Sequence, residues 1–123
     1  MWTTDGGLAR GSVRAVSPEL IGLANGEDGQ TWVVQKRVAG VSPASDGFDA
    51  GVASDDRGPR SSATLTGLLA SLAEERSVVT LRCGGRELSG RVAGAGSDVV
   101  SLRLPEGALA YLPVRELSLL RLT

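Results

Sequence analysis

From Val78 to Leu122, apolar and polar residues alternate in five short runs: VVTLRC, RELSGRVAG, DVVSLRLP, ALAYLPV and SLLRL. Alternation with period two puts successive side chains on opposite faces of a strand, so each run can bury only one side. The apolar rows are Val79, Leu81 and Cys83, then Leu88, Gly90 and Val92, then Val100, Leu102 and Leu104. Gly84-Gly85 reads as a hairpin turn, because consecutive positive φ values are cheap only for glycine. Pro105-Glu106-Gly107 marks a second turn. Pro113 cannot donate a ladder bond, so its strand should end there, and the following VREL fits one 3₁₀ turn. Gly90, in mid-strand, suits a sharp bend. Five short, bent strands with one apolar face are expected to close into a small barrel, since an open sheet of that size exposes both edges.

Before these runs the period is 3.6. In SATLTGLLASLAEERS, Leu65, Leu68, Leu69 and Leu72 share one helical face, and Ser62 or Thr64 can cap the N-terminus. A helix this short is stable only when its leucine face is docked. Further upstream, residues 43–61 read as a flexible linker rich in Gly, Pro, Ser and Asp, with Phe48 as the one large side chain. Asp46, Asp49, Asp55 and Asp56 lack calcium-loop spacing and belong to that solvated linker. Three segments result: 1–42, an incomplete small-barrel repeat of about four strands; 43–61, the linker; and 62–123, a helix with a five-stranded barrel.

The first segment looks like a copy of the last. With Gly11 placed on Gly90, Val13 falls on Val92, Glu19 on Asp98, Leu20 on Val99, Ile21 on Val100 and Leu23 on Leu102. Further on, Val34 falls on Leu112 and Arg37 on Arg115, with one residue gapped nearby. The first copy has no equivalent of the helix or of VVTLRC, and MWTTD is too short and polar to replace them. About forty residues seldom fold unaided, so its core needs cover from the second copy, another chain or upstream sequence. Trp2 and Trp32 are its large anchors, expected to pack across that join; stacking a base is the alternative.

Chemistry is restricted by what is missing. The 123 residues contain no His and one Cys, Cys83, which reads as a buried structural thiol. Internal disulfides, imidazole catalysis and a cysteine zinc cluster are excluded. No nucleotide-binding loop or nucleophile elbow occurs; Glu74-Glu75 are neighbours on a predicted helix, where adjacent side chains diverge, and Asp55-Asp56 belong to the linker. An enzyme is therefore not expected, and no cofactor or metal. Thirteen basic residues face fourteen acidic ones, and the part after Arg60 carries seven against six, so no strong pull on a phosphate backbone is evident. Neither a signal peptide nor a run of about eighteen apolar residues is present, which makes the cytoplasm the expected compartment, without membrane insertion.

The C-terminal segment resembles the Sm-like small-barrel family. V-x-L-x-x-G-x-x-L-x-G-x-V, from Val79 to Val92 with an extra Gly in the turn, is similar to that family's first signature. The order of helix, strands, 3₁₀ turn and last strand is similar too. The tandem arrangement resembles uncharacterised actinobacterial proteins with two Sm-like or SH3-like barrels. The resemblance implies a mainly β fold of two small-barrel repeats, the first incomplete, with one short α-helix before the second. The family's RNA-reading Asp, stacking residue and Asn are not matched: Gly96, Asp98 and Val100 stand there. Val114-Arg115-Glu116-Leu117 replaces its Arg-Gly signature. The expected function is a non-enzymatic module acting through protein contacts or self-association. The alternative is a degenerate Sm-like nucleic-acid binder using outward-facing arginines. The expected interaction surface comprises Trp2, Trp32, Arg82, Arg91, Arg103 and Arg121.

Overall fold

The computed structural model describes residues 1–25, 29–41 and 63–122. The linker expected over 43–61, with Phe48 and its aspartates, lies outside the described residues. Among the described residues the chain is mainly β with one α-helix. Its first segment holds β1 (Trp2–Thr3), β2 (Ser12–Val16), β3 (Leu20–Asn25), β4 (Gly29–Val34), a 3₁₀ turn at Gln35–Arg37 and β5 (Val38–Gly40). Its second holds α1 (Leu65–Glu75), β6 (Val78–Cys83), β7 (Arg86–Ala95), β8 (Val99–Arg103), β9 (Leu109–Pro113), a 3₁₀ turn at Val114–Glu116 and β10 (Leu117–Leu122).

Local chemistry explains the punctuation. Thr64 caps α1, its hydroxyl accepting from the Gly67 amide at 3.1 Å. The helix stops at Arg76, in the left-handed region at φ 53°, and the Ser77 amide reaches back to the Leu72 carbonyl. Gly84 and Gly85 take φ 59° and 84° between β6 and β7. Pro113 ends β9, and the 3₁₀ turn follows it.

Antiparallel pairing gives one eight-stranded ladder, β2-β3-β4-β10-β6-β7-β8-β9, and a separate β1-β5 pair. The ladder is open, so the closed barrel expected of the second segment does not form. Strand β10 is flanked by β6 on one side and β4 on the other, which leaves it no edge to offer β9. Leu119 and Leu120 bring apolar side chains to both faces of β10, and both are buried, in different hydrophobic clusters.

The pairing registers recur. Val13 faces Leu23 and Ala15 faces Gly22, with an irregularity between; 79 positions on, Val92 faces Leu102 and Gly94 faces Ser101 with the same irregularity. Leu20 faces Val34 and Gly22 faces Trp32; 79 positions on, Val99 faces Pro113 and Ser101 faces Tyr111. Val34 therefore corresponds to Pro113, not Leu112, and the two stretches align without the expected gap. The N-terminal residues join the pattern. Trp2 and Thr3 pair with Gly40 and Val38 as Arg82 and Cys83 pair with Leu119 and Leu117. MWTTD thus occupies the place of the end of β6, although only two of its residues pair.

The larger hydrophobic cluster joins Leu65, Leu69 and Leu72 of α1 to Val79, Leu81, Val92, Val100, Leu102 and Leu120, and takes in Leu20 and Val34 from the first segment. A smaller one holds Ala9, Leu23, Val33 and Leu119. The first segment's own cluster is thus completed by a leucine of the second, and its other face is covered by the second segment's core.

Candidate interaction surface

The two segments meet along β4 and β10, with Leu119 opposite Val33 and Leu120 opposite Trp32. Polar bonds cross the same join. The Leu65 amide, first of the helix, donates to the Glu19 carboxylate at 2.8 Å, so the first segment satisfies a helix-end donor of the second. Arg37 donates from its guanidinium to the Arg115 carbonyl, linking the two 3₁₀ turns. Around this region Pro18, Glu19, Lys36, Thr66, Ser97 and Arg115 help line a cleft of about 320 Å³. Among its described lining residues Glu19 is the one carboxylate, and it is engaged with the helix end.

Asp5 forms the tightest polar knot. It accepts from the Thr3 hydroxyl, the Ser118 hydroxyl at 2.8 Å, the Gly85 amide at 3.1 Å and the Gly7 amide at 3.3 Å. Arg82 adds an ion pair at 3.3 Å and a second donor to the Asp5 carbonyl at 2.9 Å. Partial burial of this carboxylate pushes its pKa up, but the hydroxyls of Thr3 and Ser118 and the amides of Gly85 and Gly7 outweigh it. The pKa is held well below the usual carboxylate range. Gly7 is required by close approach: a Cβ there would lie 2.6 Å from Cδ of Arg82. The bonds from Thr3 and Gly7 are local, but no local signal marks the rest of the knot, because the other partners of Asp5 lie on β6, on the Gly84-Gly85 turn and on β10.

The expected surface residues separate into three kinds. Arg82 does not face outward: its side chain is only 17% exposed and is bound to Asp5 and Glu87, so it is a clamp between segments. Arg91 and Arg103 are exposed and lie opposite each other on β7 and β8. Each gives one donor to a carbonyl, of Arg76 and Gly107 respectively. Arg121 is half-buried on β10, between Thr31 and Thr80. Trp32 does pack at the join, half-buried against the larger cluster with its ring over Gly22. Trp2 does not: its ring lies against Gly40 of β5, within the first segment, and it is 42% exposed. Cys83 is half-buried, its thiol pKa raised by burial first and by Glu116 and Asp5 second.

A surface missed by the sequence reading lies at the far end of the ladder. On β8 and β9, Val99, Leu109 and Tyr111 are exposed by 44%, 39% and 66%, beside Arg103. Alternation marks Leu109 and Tyr111 as sharing a face. It gives no sign that this face meets solvent, because an apolar row normally signals a core. Among the described residues, no group of His, Cys, Asp or Glu is placed to hold a metal, and no helix is long and apolar enough to cross a membrane. No family model matches this chain, and neither a curated protein nor a solved structure matches it.

Proposed function

We propose that the chain is a non-enzymatic module of two Sm-like small-barrel units, the first reduced, that works through protein contacts, self-association included. The observation that carries this reading is the β4–β10 join. There, one unit is completed by strand addition from the next, with apolar residues sealed on both faces of the added strand. A sheet that grows this way inside one chain has the chemistry to grow between chains. The recurring 79-position register supports two copies of one unit, and the helix–strands–3₁₀–strand order of the second supports the Sm-like comparison. A cytoplasmic module fits a chain with a half-buried single cysteine. Light scattering over a concentration series tests the reading: a mass above the monomer is expected, and a strictly monomeric chain overturns self-association.

Degenerate nucleic-acid binding is the second reading. It is favoured by Arg91 and Arg103, two exposed guanidinium groups facing each other across a ladder beside exposed Tyr111. Filter binding with single-stranded RNA at two salt concentrations decides it, since phosphate contacts weaken steeply with salt. No retention at low salt eliminates this reading.

A further inference from the structure

Strands β2 and β9 end the ladder, and they are not equivalent. Strand β2 carries exposed Arg14 at its centre and follows exposed Arg10, the kind of charge that keeps an edge from pairing. Between Gly107 and Val114, around β9, no charged residue occurs. Register correspondence gives a sharper contrast. The counterparts of Val99, Tyr111 and Pro113 are Leu20, Trp32 and Val34. Leu20 and Val34 are buried and Trp32 half-buried, because β10 pairs with β4 and the α1 side of the core covers them. The same positions on β8 and β9 lie open, beside a strand edge that has no paired neighbour among the described residues.

We infer that β9 is the docking edge for a second copy of this chain, pairing antiparallel with the partner's β9 about a two-fold axis at Tyr111. This deepens the self-association reading and rests on it. Two-fold pairing is self-complementary by construction and antiparallel by symmetry, so one strand serves as both surfaces. It puts Leu109 opposite the partner's Pro113, and the Val99, Leu109 and Tyr111 patches of both copies fall on one continuous face. The turn holding exposed Glu106 comes beside the partner's 3₁₀ turn, which holds exposed Arg115 and half-buried Glu116, so the exposed charges at the ends of the joined strands are of opposite sign. Among the described residues, strand β5 also has an apolar end, but it is three residues long and is followed by exposed Val41, too little to cover Tyr111 and Leu109 together.

The test uses the full chain carrying Cys83→Ala, so that an added cysteine is the only thiol. Cα atoms of directly opposed residues in an antiparallel pair lie about 4.5–5.5 Å apart, within disulfide range. Tyr111→Cys is therefore expected to form a covalent dimer under mild oxidation, and Ser12→Cys, exposed on β2, is not. In parallel, Tyr111→Lys in the otherwise unaltered chain is expected to weaken the dimer seen by light scattering about tenfold or more. Its circular dichroism should stay unchanged, as should its thermal midpoint at a concentration where both chains are monomeric, which separates loss of docking from loss of folding. Equal cross-linking at both sites, or none at position 111, overturns the inference. So does a dimer indifferent to Tyr111→Lys, which leaves self-association standing by another surface. A chain monomeric up to on the order of 100 μM overturns both.

Discussion

The two segments pair their strands in the same register but are not held in the same way. The second has a full first strand, β6, and a helix whose three buried leucines sit in its core. The first has two paired residues in place of that strand, and its own cluster is small and finished by Leu119 from outside. The difference shows that a shared ladder does not make a shared core. Backbone pairing can be copied with few residues, whereas apolar volume cannot, and the smaller unit borrows it. The join is therefore structural for one segment and an addition for the other.

Large-to-small substitutions should expose that asymmetry most strongly. Leu81, fully buried among α1, β6, β7 and β8, is expected to cost about 4 kcal/mol as Leu81→Ala, near the upper part of the range for leucine truncation. Leu23→Ala, in the smaller cluster, is expected to cost about 2.5 kcal/mol, because fewer neighbours line the hole. Urea titration measures both. Equal costs would mean that the halves have equivalent cores.

The pair Trp32 and Tyr111 sharpens the comparison, since the two occupy matching register positions. Trp32→Ala removes a ring packed against the joint core and should cost about 3 kcal/mol. Tyr111→Ala, exposed by 66%, should change the stability of the monomer by less than about 0.5 kcal/mol. Thermal unfolding at low protein concentration compares them. A large loss at Tyr111 would show that its face is covered within the chain.

These pairs also show what the sequence made legible. Alternation and turn chemistry located β6 to β10, since Gly84, Gly85, Gly107 and Pro113 act on their own neighbours in the chain. Gly90 was noticeable as a glycine in mid-strand, but what requires it is not local: a Cβ there would overlap the Arg103 carbonyl oxygen on the adjacent strand. Three features were not readable. Strand β1 looks like a polar tail, because the bonds that tie Asp5 to the rest of the fold come from residues 77 to 113 positions away. Closure failed as an expectation because β10 is apolar on both faces and pairs twice, a choice made by β4 and not by β10 itself. Arg82 has the same outward parity as Arg91, and only the folded N-terminal turn converts it into a clamp.

The Asp5 knot gives the next effect. Asp5→Asn removes the ion pair and weakens the acceptor for the Gly85 amide and the Ser118 hydroxyl, and is expected to cost about 2 kcal/mol at neutral pH. The pH dependence has a fixed sign. The folded pKa is lowered, so the contribution is full above the unfolded value of about 3.9 and is lost as pH falls through the folded one. The gap between wild type and variant should therefore begin to narrow below about pH 4 and close only as pH falls through the much lower folded value. A gap that persists at low pH would place the cost in side-chain packing instead of charge.

The smallest effect concerns the arginine pair on the outer face of the second segment, at Arg91 and Arg103. The matching positions of the first segment are Ser12 and Ala24, which carry no charge. Like charges directly opposed across a ladder are mildly destabilising, and an exposed opposite pair is worth well under about 1 kcal/mol. Arg103→Glu should thus raise the thermal midpoint slightly at low salt, with the gain fading as salt screens it. The arginines also carry the second functional reading, so the same variant should abolish any retention of single-stranded RNA at low salt. If stability rises while self-association is unchanged and RNA was never retained, the arginine pair contributes repulsion without recognition, and the edge at β9 is left as the functional difference between the two segments.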